Sequence, residues 1–199
     1  MTENIADRYR RLSSGFSALI ATVPPDRWAS PSPCEDWTVR DVVVHVIDSQ
    51  GIFLRLVHSD LVPGPEVADD PAGAWLAASA QTQRGLDDVD FAGRQFDGFF
   101  GRTTYAQAVE RFLNNDLVVH QWDLAWGSGQ NLQMARHDIT TLTSAVAEFG
   151  AAARSPGVYG PALDVADTAD DQTRVLALVG RDAGLASLKN SGSQGLTHD

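Results

Sequence analysis

Three ionisable side chains stand in the otherwise apolar stretch NNDLVVHQWDLA, which covers residues 114–125. They are Asp116, His120 and Asp123. On a helix, residues four apart have Cβ atoms about 5–6 Å from each other, so Asp116 and His120 can reach the same small cation. An unpaired ionised carboxylate at a core position would cost several kcal/mol. Asp116 therefore needs a compensating group.

A helical periodicity of about 100° per residue predicts that this stretch belongs to the buried face of its helix. The residues expected on that one face are Tyr105, Ala108, Val109, Phe112, Leu113, Asp116, Val119, His120 and Asp123. From the residues alone, Asp116 and His120 fit two interpretations equally well: two metal ligands, or a buried ion pair without a metal.

A second candidate ligand lies in VRDVVVHVID, residues 39–48, where His45 flanks an apolar surface and can point into a helical bundle. Two histidines and one carboxylate inside a bundle form a plausible divalent metal site, since catalytic zinc typically has three protein ligands and one open position. The same donors suit Fe²⁺, Ni²⁺ and Mn²⁺. Taken by itself, His45 also fits a half-exposed histidine. Asp48 and Asp123, each about one turn after a histidine, fit either orienting partners for the imidazoles or solvated carboxylates.

The elements that must position these side chains are predicted to be helices. Apolar periodicity, capping residues and prolines place them over about 3–22, 38–58, 75–86, 104–126, 139–149 and 168–179. Thr38 and Asp41 have capping-box spacing at the start of the second helix. The glycine-rich residues 91–102 are predicted to form a loop or short extended piece, and no pair of strands is expected.

These elements predict an all-α protein with four long helices in a bundle. We expect the bundle to cover 1–153, a short C-terminal extension packed on it to cover 154–184, and a disordered tail to cover 185–199. Apolar faces on the helices are compatible with a monomer or a homodimer.

The composition argues against binding to nucleic acid and against insertion into a membrane. With 15 basic and 26 acidic residues among 199, the formal charge is −11, which disfavours nucleic acid and anionic membrane surfaces as partners. No apolar run is long enough to cross a bilayer, and the charged N-terminus does not resemble a signal peptide. The single cysteine, Cys34, cannot form an internal disulfide and is followed by two carboxylates that disfavour its thiolate, so we expect a structural or incidental role. Together these features predict a cytoplasmic location.

Two segments of the sequence, both of which contain candidate metal ligands, resemble a known protein family. The segment WASPSPCEDWTVRDVVVH, residues 28–45, together with NDLVVHQWDLA, residues 115–125, resembles the mycothiol-dependent maleylpyruvate isomerase N-terminal family. That family belongs to the DinB/YfiT-like superfamily of metal-binding four-helix bundles. Residues 160–182 are also similar to the C-terminal part of its single-domain members.

The resemblance implies a divalent metal, usually zinc, bound by His45, Asp116 and His120, with Ni²⁺, Fe²⁺ or Mn²⁺ as alternatives. Asp116 stands where the isomerase proper has Glu, and its shorter side chain would hold the ion closer to its helix. The isomerase proper also has a further C-terminal domain at its active site. The residues after Arg154 are too few to supply one, so isomerisation of maleylpyruvate itself is not expected.

The function that follows as a hypothesis is metal-activated thiol chemistry. Mycothiol or another low-molecular-weight thiol would be the co-substrate, and a small electrophile would undergo S-transfer or thiol-assisted isomerisation. Arg55 and Arg102 are candidate counter-charges for an anionic substrate, whereas catalytic residues are not assigned. The alternative is a metal-binding or small-ligand-binding bundle without turnover, so the sequence leaves open whether the protein is an enzyme.

Overall fold

The computed structural model describes residues 3–155 and 157–183, and most of their regular structure is helical. The chain divides into two compact units, Met1–Leu132 and Gln133–Asp199. The predicted all-α class is confirmed. No helix among the described residues combines the length and the apolar character needed to cross a membrane.

The N-terminal unit contains four long helices and several short elements. Its helices are α1 Ile5–Ala21, α2 Val39–Arg55, α3 Pro71–Asp87, α4 Val89–Ala92, α5 Tyr105–Ala108 and α6 Asn114–Ser128, its strands are β1 Gln95–Gly98 and β2 Gly101–Thr104, and a 3₁₀ turn covers Pro25–Arg27. A π-helical turn, Val109–Leu113, joins α5 to α6, so that residues 105–128 form one continuous helix. The four long helices predicted in this part of the sequence are therefore present.

The long helices form a four-helix bundle in which α1 and α2 each pack against both α3 and α6. Between α1 and α3, the rings of Phe16 and Trp75 meet edge to face, with centroids 4.9 Å apart. Between α1 and α2, the buried hydroxyl of Tyr9 donates to the side-chain oxygen of Gln50 at 2.8 Å. Aromatic packing and a buried hydrogen bond thus hold α1 against α3 and α2.

Helix α6, which carries Asp116 and His120, is the most deeply buried helix of the bundle. Every residue of α6 except Asp116 and Trp126 is buried. In the π turn before it, the N–H of Asn114 donates to the carbonyl of Val109, five residues back, which adds one residue to the turn. The expectation of a single core face from Tyr105 to Asp123 therefore does not hold, because the helix is buried all round and its periodicity is interrupted.

A β-hairpin stands where the sequence predicted a loop or short extended piece without paired strands. Strands β1 and β2 pair antiparallel, with Gln95 opposite Thr104 and Gly98 opposite Gly101. The two phenylalanines between these glycines form the tip, and Gly101 has a φ of +96°, which a residue with a side chain rarely adopts. The prediction was wrong because the turn lacks the Asn-Gly or Asp-Gly pair that usually marks a two-residue hairpin.

The C-terminal unit contains α7 Arg136–Phe149, a 3₁₀ turn Gly150–Arg154 and α8 Asp171–Leu178. Helix α7 packs against α8, and the Arg154 guanidinium donates to the carbonyls of Gly160 and Leu178 at 2.6 and 2.8 Å. The chain divides after Leu132, and α7 packs with the helix that follows it. The expected bundle over 1–153 and extension over 154–184 stay predictions. The expected tail, 185–199, lies outside the described residues.

Helix α2, which carries His45, begins at the predicted capping box. The Thr38 hydroxyl accepts from the N–H of Asp41, and the Asp41 carboxylate accepts from the N–H of Thr38 at 2.8 Å. Thr38→Ala removes the cap, and we expect it to lower the free energy of unfolding by about 1 kcal/mol. Urea titration followed by tryptophan fluorescence measures this, since all five tryptophans lie before residue 133.

The control for that titration is Ser14→Ala, which removes a hydroxyl bonded to the carbonyl of Arg10 within α1. This change should stay within about 0.5 kcal/mol of wild type, as exposed substitutions usually do. Equal effects of the two substitutions would show that the cap does not stabilise the start of α2.

Candidate metal centre

The three predicted ligand residues lie together in the structure. His45 comes from α2, while Asp116 and His120 stand one turn apart on α6. One carboxylate oxygen, Oδ1 of Asp116, lies 3.5 Å from Nε2 of His45 and 3.2 Å from Nε2 of His120. The bundle thus brings one donor atom from each residue to the same place.

The spacing of these atoms fits a small divalent cation. With metal–ligand bonds of 2.0–2.1 Å and tetrahedral angles, two ligand atoms lie about 3.3 Å apart. The second oxygen of Asp116, Oδ2, is buried without a hydrogen-bond partner. His120 is buried, whereas the side chains of His45 and Asp116 keep 33% and 27% of their surface exposed. The donor set therefore suits a cation and leaves one side accessible from solvent.

In the metal-free arrangement, the same residues form a charged pair. Burial alone would raise the pKa of Asp116, but the charge of His120 and hydrogen bonds from His120 and His45 hold this pKa below its ordinary value. Burial would likewise lower the pKa of His120, yet the charge of Asp116 and hydrogen bonds to Asp116, Asp123 and Cys34 raise it well above its ordinary value. A proton and a metal ion would therefore compete for His120.

Behind the three residues, a buried carboxylate holds the imidazole of His120. Oδ2 of Asp123 lies 2.9 Å from Nδ1 of His120, and Asp123 has no exposed surface. The Cys34 thiol donates to the same oxygen at 3.2 Å. This chain of contacts favours a proton on Nδ1 and directs Nε2 toward Asp116, as carboxylates behind metal-ligating histidines commonly do. Asp48, the other carboxylate considered from the sequence, is exposed.

Cys34, predicted to be structural or incidental, contacts the site through Asp123, and this contact was not predicted. Cys34, His120 and Asp123 form a second group of side chains whose donor atoms lie within 4.8 Å of one another. No sequence signal links residue 34 to residue 123, because the contact depends on where the loop before α2 folds back.

That loop also places Trp37 over the two histidines. The indole lies 4.7 Å from the ring of His45 and 6.0 Å from that of His120, measured between centroids. The loop is held by a backbone bond from Ser32 to the carbonyl of Trp37 at 2.8 Å. A Cβ atom at Gly127 of α6 would meet Val39 at 2.7 Å, so this helix must present a glycine where the chain enters α2. Trp37 forms an apolar wall beside the donor atoms.

The remaining charged residues and histidines considered from the sequence are not among the donor residues of this site. Arg55 is exposed at the end of α2, and Arg102 on β2 donates to the Gln95 side chain at 2.9 Å. His58 and His137 are exposed as expected. His198 lies outside the described residues.

The paired charges predict how pH affects the stability of the metal-free protein. Protonated His120 stabilises the folded state; this contribution is complete below about pH 6.5 and is lost as the pH rises through its raised pKa. Ionised Asp116 contributes above about pH 3.9, and its contribution is lost as the pH falls through its lowered pKa. The stability difference between wild type and Asp116→Asn should therefore be largest between these two pH values.

Urea titrations of chelator-treated protein across this pH range measure the difference. Asp48→Asn, an exposed carboxylate on α2, should show no such maximum. A difference that increases steadily above pH 6.5 would contradict the predicted pairing.

Comparison with known proteins places this site within a family. The family model of the mycothiol maleylpyruvate isomerase N-terminal domain matches residues 9–125, a range that includes all three donor residues. An uncharacterised protein found in two strains of Mycobacterium tuberculosis is 28% identical over 150 residues, which cover 75% of this chain and 81% of the relative. No solved structure shows a significant match. The chain belongs to the mycothiol maleylpyruvate isomerase N-terminal domain family.

Proposed function

We propose that the protein binds one divalent metal ion through His45, Asp116 and His120 and uses it in thiol chemistry on a small electrophile. The observation that carries this proposal is the convergence of two imidazole nitrogens on one carboxylate oxygen, at 3.2 and 3.5 Å. Membership of a family named for a mycothiol-dependent isomerase supports a low-molecular-weight thiol such as mycothiol as the co-substrate.

Zinc is the proposed ion. Two nitrogen donors and one oxygen donor match the three protein ligands typical of a catalytic zinc, and the distances from each nitrogen to the Asp116 oxygen suit tetrahedral bonds. Fe²⁺, Ni²⁺ and Mn²⁺ accept the same donors, so the choice rests on geometry rather than on ligand type.

A divalent ion at this position would lower the pKa of a coordinating thiol and so supply a thiolate nucleophile near neutral pH. The residues of this chain then have three tasks. Asp123 keeps the Nδ1 proton of His120 in place, which leaves the Nε2 lone pair free for the ion. Trp37 excludes water from one side of the imidazoles. The exposed edges of His45 and Asp116 leave room for the thiol and the electrophile.

Two reactions follow from a thiolate in this position. In S-transfer, a carbon–sulfur bond forms while the leaving group departs with its electron pair, and the thiol proton passes to solvent. In thiol-assisted isomerisation, the thiol adds to a double bond, the resulting single bond rotates, and elimination returns the thiol. Neither reaction would require a separate side-chain base for the thiol, because an ion held by His45, Asp116 and His120 would lower the pKa of the thiol.

Metal content is the first test of the proposal. Protein purified without a chelator or a metal-affinity tag should contain about one equivalent of metal by elemental mass spectrometry, because three ligands and an open position bind one ion. Asp116→Asn and His120→Ala should lose it. His137→Ala, which changes an exposed histidine of the C-terminal unit, should retain it. Absence of metal from the wild type, with zinc also refused on titration, would leave Asp116 and His120 as a buried ion pair.

Zinc titration distinguishes the ligands from the carboxylate behind them. Asp123→Asn should still bind one equivalent but with an affinity about 10–100-fold lower, because the asparagine no longer holds His120 as a carboxylate does. Asp48→Asn is the matched control and should bind as the wild type does. Unchanged affinity in Asp123→Asn would show that this contact does not position the imidazole.

Turnover is tested with mycothiol and monochlorobimane, whose conjugate is fluorescent. The metal-loaded protein should accelerate conjugation, and Asp116→Asn should abolish the acceleration. The His137→Ala control should match the wild type. Tight metal binding without any thiol-dependent acceleration, there or with other small electrophiles, would instead identify a metal-binding module without turnover.

A further inference from the structure

A cavity of about 590 Å³ lies beside the β-hairpin of the N-terminal unit. Five of the chain's eight phenylalanines line it, and we call it the phenylalanine cavity: Phe53, Phe96, Phe99, Phe100 and Phe112. We propose that this cavity binds the aromatic part of an anionic electrophile. The inference rests on the proposed function, since it names the substrate class of the same site.

The walls of the cavity are flat aromatic faces. The ring of Phe112 lies 5.8 Å from that of Phe53 and 6.3 Å from that of Phe100, measured between centroids, and the planes of the second pair differ by only 18°. The volume falls within the range of small-molecule sites, about 300–1,000 Å³. Aromatic walls favour offset or edge-on contact with another ring. A planar aromatic group suits this space better than a branched aliphatic chain.

The charged groups of the lining favour an anion. Arg102 and Arg111 both line the cavity, and the single carboxylate of the lining, Asp97, lies 3.7 Å from the guanidinium of Arg102, so the lining has an excess of one positive charge. The guanidinium of Arg111 lies 4.0 Å from the ring centre of Phe100. In a protein with a formal charge of −11, such a local excess of arginine is what a negatively charged ligand would need. Guanidinium groups also pair well with carboxylates.

The phenylalanine cavity and the candidate metal centre share two helical segments. Phe112 lies four residues before Asp116 on the continuous helix that ends with α6, and Phe53 lies eight residues after His45 on α2. At a rise of 1.5 Å per residue, Phe112 and Asp116 are about 6 Å apart along the helix. Phe112, one wall of the cavity, therefore lies about one helical turn from the proposed metal ligand Asp116.

The hairpin tip gives the proposed ligand an apolar surface to cover. Phe99 is 76% exposed and Phe100 is 42% exposed, although both are large apolar side chains. Their rings meet edge to face at 4.9 Å, so they form a continuous apolar edge. A bound ring would remove part of this surface from water, at roughly 25 cal/mol for each Å² covered.

Binding of 2-naphthoate to the full chain tests the proposal. We expect saturable binding by isothermal titration calorimetry, both in chelator-treated and in zinc-loaded protein. Phe100→Leu and Arg111→Gln should each weaken it about three- to tenfold, because they remove an aromatic contact and a charge-assisted contact. The uncharged probe 2-naphthalenemethanol should bind less tightly than 2-naphthoate to the wild type, and this preference should disappear in Arg111→Gln.

The chain offers a matched pair of control residues. Arg94 lies 4.2 Å over the ring of Phe91, and neither residue lines the cavity. Phe91→Leu and Arg94→Gln should leave the affinity for 2-naphthoate unchanged. Equal losses in the two sets of variants, or no saturable binding by the wild type, would overturn the proposal.

The outcomes for the cavity and for the metal centre are distinguishable. Binding with the expected variant pattern in a protein that refuses zinc would preserve the cavity and overturn the thiol chemistry. Metal-dependent conjugation without 2-naphthoate binding would preserve the thiol chemistry and overturn the proposed ligand of the cavity. If light scattering instead shows a dimer that Phe99→Ser converts to a monomer, and the wild type binds no probe, the hairpin tip is a contact between copies of the chain and the proposed ligand is wrong.

Discussion

The negative charge of Asp116 has to be balanced by groups from two different helices. Its carboxylate is held by His120 from its own helix and by His45 from α2, and the pairing is strong enough to reverse the effect of burial on the pKa of both Asp116 and His120. Because the Asp116 side chain is only 27% exposed, the loss of either imidazole would leave a poorly solvated carboxylate with less compensating charge. The contact therefore constrains how α2 lies against α6.

The burial of α6 extends this constraint to the rest of the bundle. Because nearly every side chain of this helix is inside, each of its polar groups needs a partner from another element or from its own backbone. Arg8 of α1 reaches Asn115 at 3.2 Å, and Gln121 donates to the carbonyl of Leu12 at 3.3 Å. Asp123 receives Cys34 from the loop before α2. A polar helix at the centre thus specifies which neighbours surround it, whereas an apolar one would tolerate several arrangements.

The parts of this arrangement that depend on nearby residues were predictable. Residues four apart on one helix must be neighbours, so Asp116 and His120 could be paired from spacing alone, and the Thr38 cap was recognisable for the same reason. Trp37 and Cys34 were not predicted as parts of the site, because their positions depend on a loop that folds back onto a helix some 80 residues later in the chain. The π turn and the Gly-Phe-Phe-Gly hairpin carry no local signature of the kind that marks caps and common turns.

The π turn connects these unpredicted features to the site. In an uninterrupted α-helix, Phe112 and Asp116 would lie on nearly the same face, one above the other. One additional residue in the turn, recorded by the bond from Asn114 to Val109, changes the direction of the side chains before it relative to those after it. Phe112 lies within this turn and lines the phenylalanine cavity, while Asp116, three residues after the turn, contacts both histidines. Since π turns are rare and are frequently found at functional sites, a π turn that carries cavity residues and ends three residues before the carboxylate supports the assignment of both to one site.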